Sequence, residues 1–151
     1  MSARSRNLPR RSCLSIPGSS EKMLGKGPGI PADMVFLDLE DAVAPKEKEA
    51  SRAKIAAAIR GNDWGDKVLC VRVNDWSTKW TAYDIIEVVG TAGERLDEIM
   101  LPKVESAAQI VATDMLLRQV EISAGLPIGH IGIEAQIETA RGLINVEEIC
   151  A

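Results

Sequence analysis

Short apolar runs recur along the chain, and each is separated from the next by a longer stretch in which charged and apolar residues are mixed. The runs predict strands at residues 13–16, 34–37, 68–73, 99–101 and 131–137. Continuous apolar runs of this length are typical of strands buried on both faces. The intervening stretches predict helices at residues 19–26, 46–60, 81–89 and 106–120, and a fifth helix over residues 139–150.

The alternation of strands and helices predicts a parallel sheet with helical crossovers. Both an open doubly wound sheet and a (β/α)8 TIM barrel satisfy this pattern. Polar side chains at the carboxyl ends of all five strands favour the barrel, because barrel enzymes gather their chemistry on that face. No GxGxxG segment follows a strand, which weakens the dinucleotide-binding alternative. The polar residues are Ser15, Ser19, Glu40, Asp41, Arg72, Asn74, Lys103, Glu105 and Glu138.

The length of the chain limits how much of a barrel it holds. A TIM barrel usually needs about 250 residues and eight βα units, whereas this sequence has 151 residues and five predicted units. We therefore expect the N-terminal part of a longer α/β polypeptide, a truncated barrel domain over residues 11–151. Residues 1–10 are expected to form a flexible N-terminal segment.

Composition and charge narrow the class of partner. Hydrophobic residues make up 46% and charged residues 26%, which is typical of a globular domain and excludes wholesale disorder. A net charge of −4, with no basic cluster beyond the first eleven residues, argues against nucleic acid. No run approaches the ~20 apolar residues of a membrane span. The sequence favours a cytoplasmic protein with a small-molecule partner.

Three carboxylates and one guanidinium are the candidate chemical groups. Glu40, Asp41 and Glu138 follow strands two and five, and oxygen ligands without His or Cys suit Mg²⁺ better than zinc. Arg72 ends strand three, and its planar fork matches a carboxylate or oxyanion. Structural alternatives remain open: helix capping or lysine pairing for Glu40 and Asp41, a salt bridge to a neighbour such as Lys103 for Glu138, and an internal ion pair for Arg72.

Five ordered motifs carry a family resemblance: LSIPGS at 14–19, DLEDAVAP at 38–45, VRVN at 71–74, LPKVE at 101–105 and IETARGL at 137–143. Together they resemble the citrate lyase β-subunit-like group of the HpcH/HpaI aldolase family, most closely its L-malyl-CoA/β-methylmalyl-CoA lyases. The resemblance spans nearly the whole chain. It implies a (β/α)8 lyase that uses Mg²⁺, or Mn²⁺ in its place, and acts on 3-hydroxyacyl-CoA thioesters as a homo-oligomer, a trimer or hexamer.

The resemblance also implies roles for individual residues. Arg72 matches an arginine that contacts substrate oxygens, and Glu138 matches a metal ligand. Glu40 and Asp41 match an acidic pair that does not bind the metal directly but supports it through water or neighbouring groups. In addition, the resemblance places Ser15, Ser20 and Lys26 at positions that contact the acyl-CoA substrate.

The reaction implied is a reversible Claisen-type cleavage of a substrate such as L-malyl-CoA into acetyl-CoA and glyoxylate. Two alternatives remain open. One is a citrate lyase β-type subunit, and the other is a truncated, inactive half-barrel that serves as a scaffold or binding module. The second metal ligand and the acid/base residue are expected beyond residue 151, so we expect little or no lyase activity from the 151-residue chain alone.

Overall fold

A computed structural model describes residues 8–151 of the chain. Its parallel strands are β1 (Cys13–Pro17), β2 (Met34–Asp38), β3 (Val68–Arg72), β4 (Glu98–Leu101) and β5 (Gly132–Ala135). Its helices are α1 (Glu21–Lys26), α2 (Lys48–Gly61), α3 (Thr81–Ala92), α4 (Ala107–Ser123), α5 (Ala140–Ile144) and α6 (Val146–Cys150). Short 3-10 turns occur at Gly27–Gly29 and Pro45–Glu47. Most of the expected segment 1–10 lies outside the described residues.

The five strands form one sheet in the order β1-β2-β3-β4-β5, and every neighbouring pair is parallel. A doubly wound sheet would reverse its strand order at a switch point. The observed order runs in one direction, as in a TIM barrel. All five carboxyl ends therefore lie along the same edge of the sheet.

The helices predicted over 81–89 and 106–120 each end three residues later than expected, and the last two predicted elements also differ from those observed. The fifth strand ends at Ala135 rather than at residue 137, and the single helix predicted over 139–150 is wrong because the chain forms α5 and α6 instead. Asn145 lies between them with φ −98° and ψ 12°, and its side-chain amide donates to the carbonyl of Glu105 at 2.8 Å. This contact with a distant loop accompanies a local departure from helical geometry that the apolar spacing does not reveal.

Alternate residues along each strand face opposite sides of the sheet. Leu37, Val71 and Ile99 belong to the main core, which they form with helix residues such as Ile55 and Val88. Burying each of these side chains stabilises the fold by about 1.5–3 kcal/mol. This core lies between the sheet and the helices.

The other face of the sheet carries a second, smaller apolar cluster. Its members are Met34, Val68, Cys70 and Met100, with Phe36 packed against them. Polar groups occur at both ends of this inner face, among them Glu98 at the start of β4 and Arg72 at the end of β3. Within residues 8–151, none of the helices is both long enough and apolar enough to cross a bilayer.

Candidate active site

Arg72 and Asp38 form a two-pronged ion pair at the carboxyl edge of the sheet. Arg72 Nε donates to Asp38 Oδ1 at 2.8 Å, and Arg72 Nη2 donates to Asp38 Oδ2 at 2.7 Å. The two residues are direct partners in the parallel register of β2 and β3. The guanidinium also lies over the Phe36 ring, 5.2 Å from its centroid. These contacts hold Arg72 in one orientation on the inner face.

Asp38 is fully buried and accepts two further hydrogen bonds, from the main-chain amides of Glu40 at 2.8 Å and Ala42 at 3.0 Å. Burial alone would raise the pKa of Asp38, but the hydrogen bonds from Arg72 and these amides outweigh it and hold the pKa below its ordinary value. Asp38 therefore remains a carboxylate, and it shapes the acidic loop that follows β2.

The sequence interpretation missed Asp38, although the strand pattern contains the signal. Met34, Phe36 and Asp38 alternate along β2, as Val68, Cys70 and Arg72 do along β3, so an in-register parallel pair brings Asp38 opposite Arg72. The internal ion pair considered for Arg72 is what the structure contains. Its expected contact with substrate oxygens stays a prediction.

The acidic pair after β2 is split between buried and exposed positions. Glu40 is 4% exposed, and its Oε2 accepts the Asp41 amide at 3.0 Å, whereas the Asp41 side chain faces solvent. The ammonium of buried Lys48 donates to the carbonyls of Leu39 at 2.9 Å and Glu40 at 2.7 Å. Burial lowers the pKa of Lys48, and the surrounding carboxylates partly oppose that shift. Lys48 thus fixes the main chain that carries Glu40.

Lys103 connects this acidic loop to Glu138. Its ammonium forms an ion pair with Glu40 and lies 3.8 Å from Asp41, while its main-chain amide donates to Glu138 Oε1 at 2.9 Å. The side chain of Glu138 was expected either to bind metal or to form a salt bridge with a neighbour such as Lys103. The contact between Lys103 and Glu138 instead runs through the main chain, because the lysine ammonium is directed to Glu40.

The segment that carries Glu138 approaches the loop after β4 closely. A Cβ atom at Gly142 would lie 2.3 Å from the Val104 carbonyl oxygen, so only glycine fits there without a main-chain shift. Thr139 caps α5 and accepts the Gly142 amide at 3.0 Å. The glycine of the IETARGL motif thus has a packing reason, because it allows the Glu138 segment to lie against the loop after β4.

A buried clamp positions the loop after β3. Asp84 of α3 accepts Arg52 Nε at 2.8 Å through one oxygen, and the main-chain and side-chain amides of Asn74 at 3.0 and 2.6 Å through the other. All three residues are at most 5% exposed. Arg52 belongs to α2, so the clamp ties two helices to the end of the strand that carries Arg72.

The three residues expected to contact acyl-CoA lie on β1 and at the two ends of α1. Ser15 is exposed on β1, beside Phe36 in the register. Ser20 caps α1, where its Oγ accepts the Met23 amide at 3.3 Å. Lys26 is exposed at the other end of α1, about 9 Å further along the helix axis. Their roles in substrate binding stay predictions.

The oxygen donors at this edge suit Mg²⁺ in type but do not form a complete ligand set. Across residues 8–151, no three His, Cys, Asp or Glu side chains are grouped so that they could hold a metal ion. Glu40 is occupied by Lys103 and the Asp41 amide, whereas Glu138 is exposed and accepts the Lys103 amide. Of these carboxylates, Glu138 is the more accessible to a cation.

Comparison with known proteins assigns the family. The sequence model for "HpcH/HpaI aldolase/citrate lyase" matches residues 11–151. The chain belongs to this family, which confirms the resemblance read from the five motifs. Its five parallel strands in sequential order, with helices between them, confirm the predicted α/β fold class, a TIM barrel of which five units are present.

Curated relatives and a solved structure extend the comparison. An L-malyl-CoA/beta-methylmalyl-CoA lyase of Cereibacter sphaeroides is 43% identical over 143 residues, which is 95% of this chain and 45% of that protein. A (3S)-malyl-CoA thioesterase of the same species is 38% identical over 143 residues, which again is 95% of this chain and 45% of that protein. The crystal structure of protein CitE from Mycobacterium tuberculosis in complex with magnesium and acetoacetate superposes with a TM-score of 0.69 and 32% identity, covering 96% of this chain and 52% of that one. The chain thus spans about half the length of the proteins it matches.

Proposed function

We propose that this chain is the N-terminal part, over residues 11–151, of a Mg²⁺-dependent carbon–carbon lyase acting on a 3-hydroxyacyl-CoA such as L-malyl-CoA. The reaction breaks the bond between the hydroxyl-bearing carbon and the carbon next to the thioester. It gives glyoxylate and acetyl-CoA, and in reverse it is a Claisen-type condensation. The observation that carries the proposal is the Arg72 guanidinium, fixed by Asp38 at the carboxyl edge between the Glu40 and Glu138 loops.

Arg72 is proposed to bind the substrate oxygens. A guanidinium has five N–H donors, and the pair with Asp38 uses one on Nε and one on Nη2. The remaining donors are available to the hydroxyl oxygen, which becomes negatively charged as its proton is removed. When the carbon–carbon bond then breaks, this oxygen becomes the aldehyde oxygen of glyoxylate and the electron pair passes to the enolate of acetyl-CoA. A fixed cation at that point stabilises the transition state more than the ground state.

Glu138 is proposed as a metal ligand, with Glu40 and Asp41 supporting the metal from the next layer. Mg²⁺, when bound, supplies Lewis-acid polarisation of the substrate oxygens. The described carboxylates do not complete a ligand set, so a further ligand is proposed from outside the 151 residues. The group that accepts the hydroxyl proton is proposed to lie there too.

The substrate contacts of Ser15, Ser20 and Lys26 belong to the same proposal. Ser15 and Arg72 both lie on the inner side of the sheet, while Ser20 caps α1 and Lys26 is the last residue of that helix. A CoA thioester is long enough to run from the carboxyl edge towards α1. We further propose a cytoplasmic homo-oligomer, a trimer or hexamer, with acyl-CoA as its small-molecule partner.

The test uses a chimera in which residues 1–151 precede the remaining C-terminal part of the Cereibacter sphaeroides lyase. Glyoxylate and free thiol are measured separately after addition of L-malyl-CoA and Mg²⁺. A lyase releases glyoxylate without free thiol, whereas a thioesterase, as the second relative is named, releases free CoA without glyoxylate. Glyoxylate formation that requires Mg²⁺ and falls at least ~100-fold in Arg72→Lys supports the proposal.

Three other results would contradict it. Free thiol without glyoxylate would reassign the chain to thioester hydrolysis. Cleavage only of a citryl thioester on a carrier protein would favour the citrate lyase β-type alternative, while no turnover in a folded chimera would favour the scaffold. The unmodified 151-residue chain serves as a reference, and we expect little or no glyoxylate from it.

A further inference from the structure

The outward face of α4 carries a mainly apolar stripe that runs along the helix. Residues that recur alternately four and three apart lie on one side of a helix, and this is the spacing of the seam in a coiled coil. Four exposed residues of α4 follow it: Val111, Met115, Arg118 and Ile122. The three apolar side chains are between 57% and 62% exposed. This stripe, called the α4 seam below, is therefore in contact with solvent.

The opposite side of α4 is already packed on the main core. Leu117 and Val120 are buried there, and a helix that is apolar on both sides is usually covered on both sides. Next to the seam, the apolar surface continues across a groove of about 400 Å³ to Ile86 of α3, which is 43% exposed. The exposed apolar side chains of the two helices present on the order of 400 Å² of surface, a patch size that often marks an interaction site.

Further βα units of the barrel would not cover the α4 seam. The helix follows β4, and β4 lies between β3 and β5 in the sheet. Additional strands join a parallel sheet at its edges, which among the described strands are β1 and β5, and their helices pack beside the existing ones in the outer ring. Because the seam points away from the sheet, it stays exposed when the barrel is complete.

The α4 seam is complementary to itself when two copies of the helix run antiparallel. Its spacing of four, three and four residues is the same in either direction. A two-fold axis through the middle of the seam therefore places Val111 of one copy against Ile122 of the other. It also places Met115 against the aliphatic stem of Arg118. Each contact occurs twice, as in every isologous interface.

Charge complementarity favours the same arrangement. Asp114 lies beside the seam, and within the helix its Oδ2 accepts Arg118 Nε at 2.7 Å. In the antiparallel pair, Asp114 of one copy lies only about one residue, or ~1.5 Å along the helix axis, from the level of Arg118 of the other. The two carboxylates and two guanidinium groups then alternate around the axis, so that each charge has an opposite charge as its neighbour in both copies.

We propose that the outward face of α3 and α4 is a two-fold interface between two copies of this chain, with the α4 seam at its centre. With the exposed polar residues that border the seam, such as Gln119 and Ser123, the face approaches the ~800 Å² that each partner buries in a stable interface. The inference rests on the homo-oligomer of the proposed function and deepens it by naming the contact. A ring of three subunits has no two-fold axis, whereas a hexamer of two paired trimers does, so this interface favours the hexamer.

The first test is sedimentation velocity of the 151-residue chain from micromolar to millimolar concentration. Ile122→Glu places a carboxylate in the seam twice per pair of copies, so the dissociation constant of the contact should rise at least ~10-fold. The matched control is Ile128→Glu. Ile128 is 56% exposed but lies between α4 and β5, outside the seam. The control makes the same change in net charge and should leave the dissociation constant unchanged.

Mixing two charge variants separates a contact between copies from a change within one helix. Asp114→Arg and Arg118→Asp each bring like charges together across the axis, so each alone should associate at least ~10-fold more weakly than the wild type. An equimolar mixture should associate about as well as the wild type, because the acids of one variant face the guanidinium groups of the other. The pair within the helix stays broken in both variants, so only a contact between copies produces this recovery.

Circular dichroism checks that each variant is folded, as expected for changes at exposed positions. The inference is overturned if the wild-type chain stays monomeric at millimolar concentration, if Ile122→Glu associates as the wild type does, or if the mixture does not recover. Association through the edges of the sheet would give the second of these results. Glyoxylate formation by the chimera is measured separately, so its absence together with an intact two-fold contact contradicts the proposed reaction alone.

Discussion

Arg72 and Asp38 face each other across adjacent parallel strands, joined by hydrogen bonds of 2.8 and 2.7 Å. The register of β2 and β3 places the two residues side by side, independently of how the loops fold. The acidic loop after β2 is then built on the Asp38 carboxylate through the amides of Glu40 and Ala42. One strand pairing therefore determines both the orientation of the guanidinium and the start of the loop that faces it.

Asp38→Asn should lower the free energy of unfolding by about 3–5 kcal/mol, because it leaves Arg72 without its buried counter-charge and places an amide where two main-chain donors point. Urea unfolding monitored by tryptophan fluorescence provides the measurement. The exposed neighbour Asp41 is the control, and Asp41→Asn should change stability by less than about 1 kcal/mol. Equal losses for the two variants would contradict the central role assigned to Asp38.

Asp84→Asn should be destabilising by about 3–5 kcal/mol, since Arg52 loses its buried partner and the amides of Asn74 lose an acceptor. The matched control is Glu87→Gln on the same helix. Glu87 contacts the same guanidinium at 2.9 Å, but its side chain is 48% exposed, so its loss should cost less than about 1 kcal/mol. A large loss of stability in Glu87→Gln with a small loss in Asp84→Asn would show that Glu87, and not Asp84, is the stabilising partner of Arg52.

Gly142→Ala and Gly90→Ala should change stability in opposite directions. At Gly142 the added Cβ would meet the Val104 carbonyl at 2.3 Å, so the main chain must shift at a cost of about 1–3 kcal/mol. At Gly90, inside α3, the nearest atom would be Val120 Cγ1 at 3.9 Å, and alanine should stabilise the helix by about 0.4–1 kcal/mol. Thermal unfolding of both variants checks the signs.

The stability of the chain should fall as pH rises between about 4.5 and 7 through the contribution of Glu98. Burial raises the pKa of Glu98 from 4.5 to about 7; Arg10 opposes this shift, and Glu134 adds to it. The folded state therefore binds a proton more tightly than the unfolded state does. This contribution to the free energy of unfolding is at most about 3 kcal/mol. It is fully present below pH 4.5 and is lost as the pH rises past 7.

Urea unfolding at pH 5, 6, 7 and 8 measures this dependence, and Glu98→Gln should flatten it. The groups that face Glu98 are Arg10 at 2.7 Å, Glu134 on β5 and the thiols of Cys13 and Cys70. Because the neighbouring Glu134 raises the pKa of Glu98, Glu134→Gln should lower that pKa and flatten the curve in part. If the free energy of unfolding of Glu98→Gln changes with pH as it does in the wild type, groups other than Glu98 cause the pH dependence.

The sequence predicts the fold more completely than it predicts the contacts of the candidate site. The apolar runs located all five strands, because strands buried on both faces leave a strong local pattern. The pattern could not show that Asn145 reaches the Glu105 carbonyl near the division between α5 and α6, since that partner is 40 residues away. Long-range hydrogen bonds of this kind have no signature in local apolar spacing.

The sequence correctly placed the candidate residues at one edge of the sheet, but it did not assign their contacts. The rule that polar residues follow the carboxyl ends of parallel strands identified Arg72, Glu40 and Glu138. It could not assign the ion-pair partners, because these depend on strand register and on the left-handed main chain of Lys103. Their proposed roles in the reaction remain predictions.

The one-directional order of the sheet also restricts how two copies could associate through their strands. Among the described strands, β1 and β5 each pair on one side only. Five strands span about five-eighths of an eight-stranded ring, so an arc for three more remains. A second copy would bring five strands to that arc, two too many for the ring to close. Pairing between copies would therefore produce a wider ring of ten strands or a ribbon that continues to grow, whereas three further βα units complete the eight-stranded barrel.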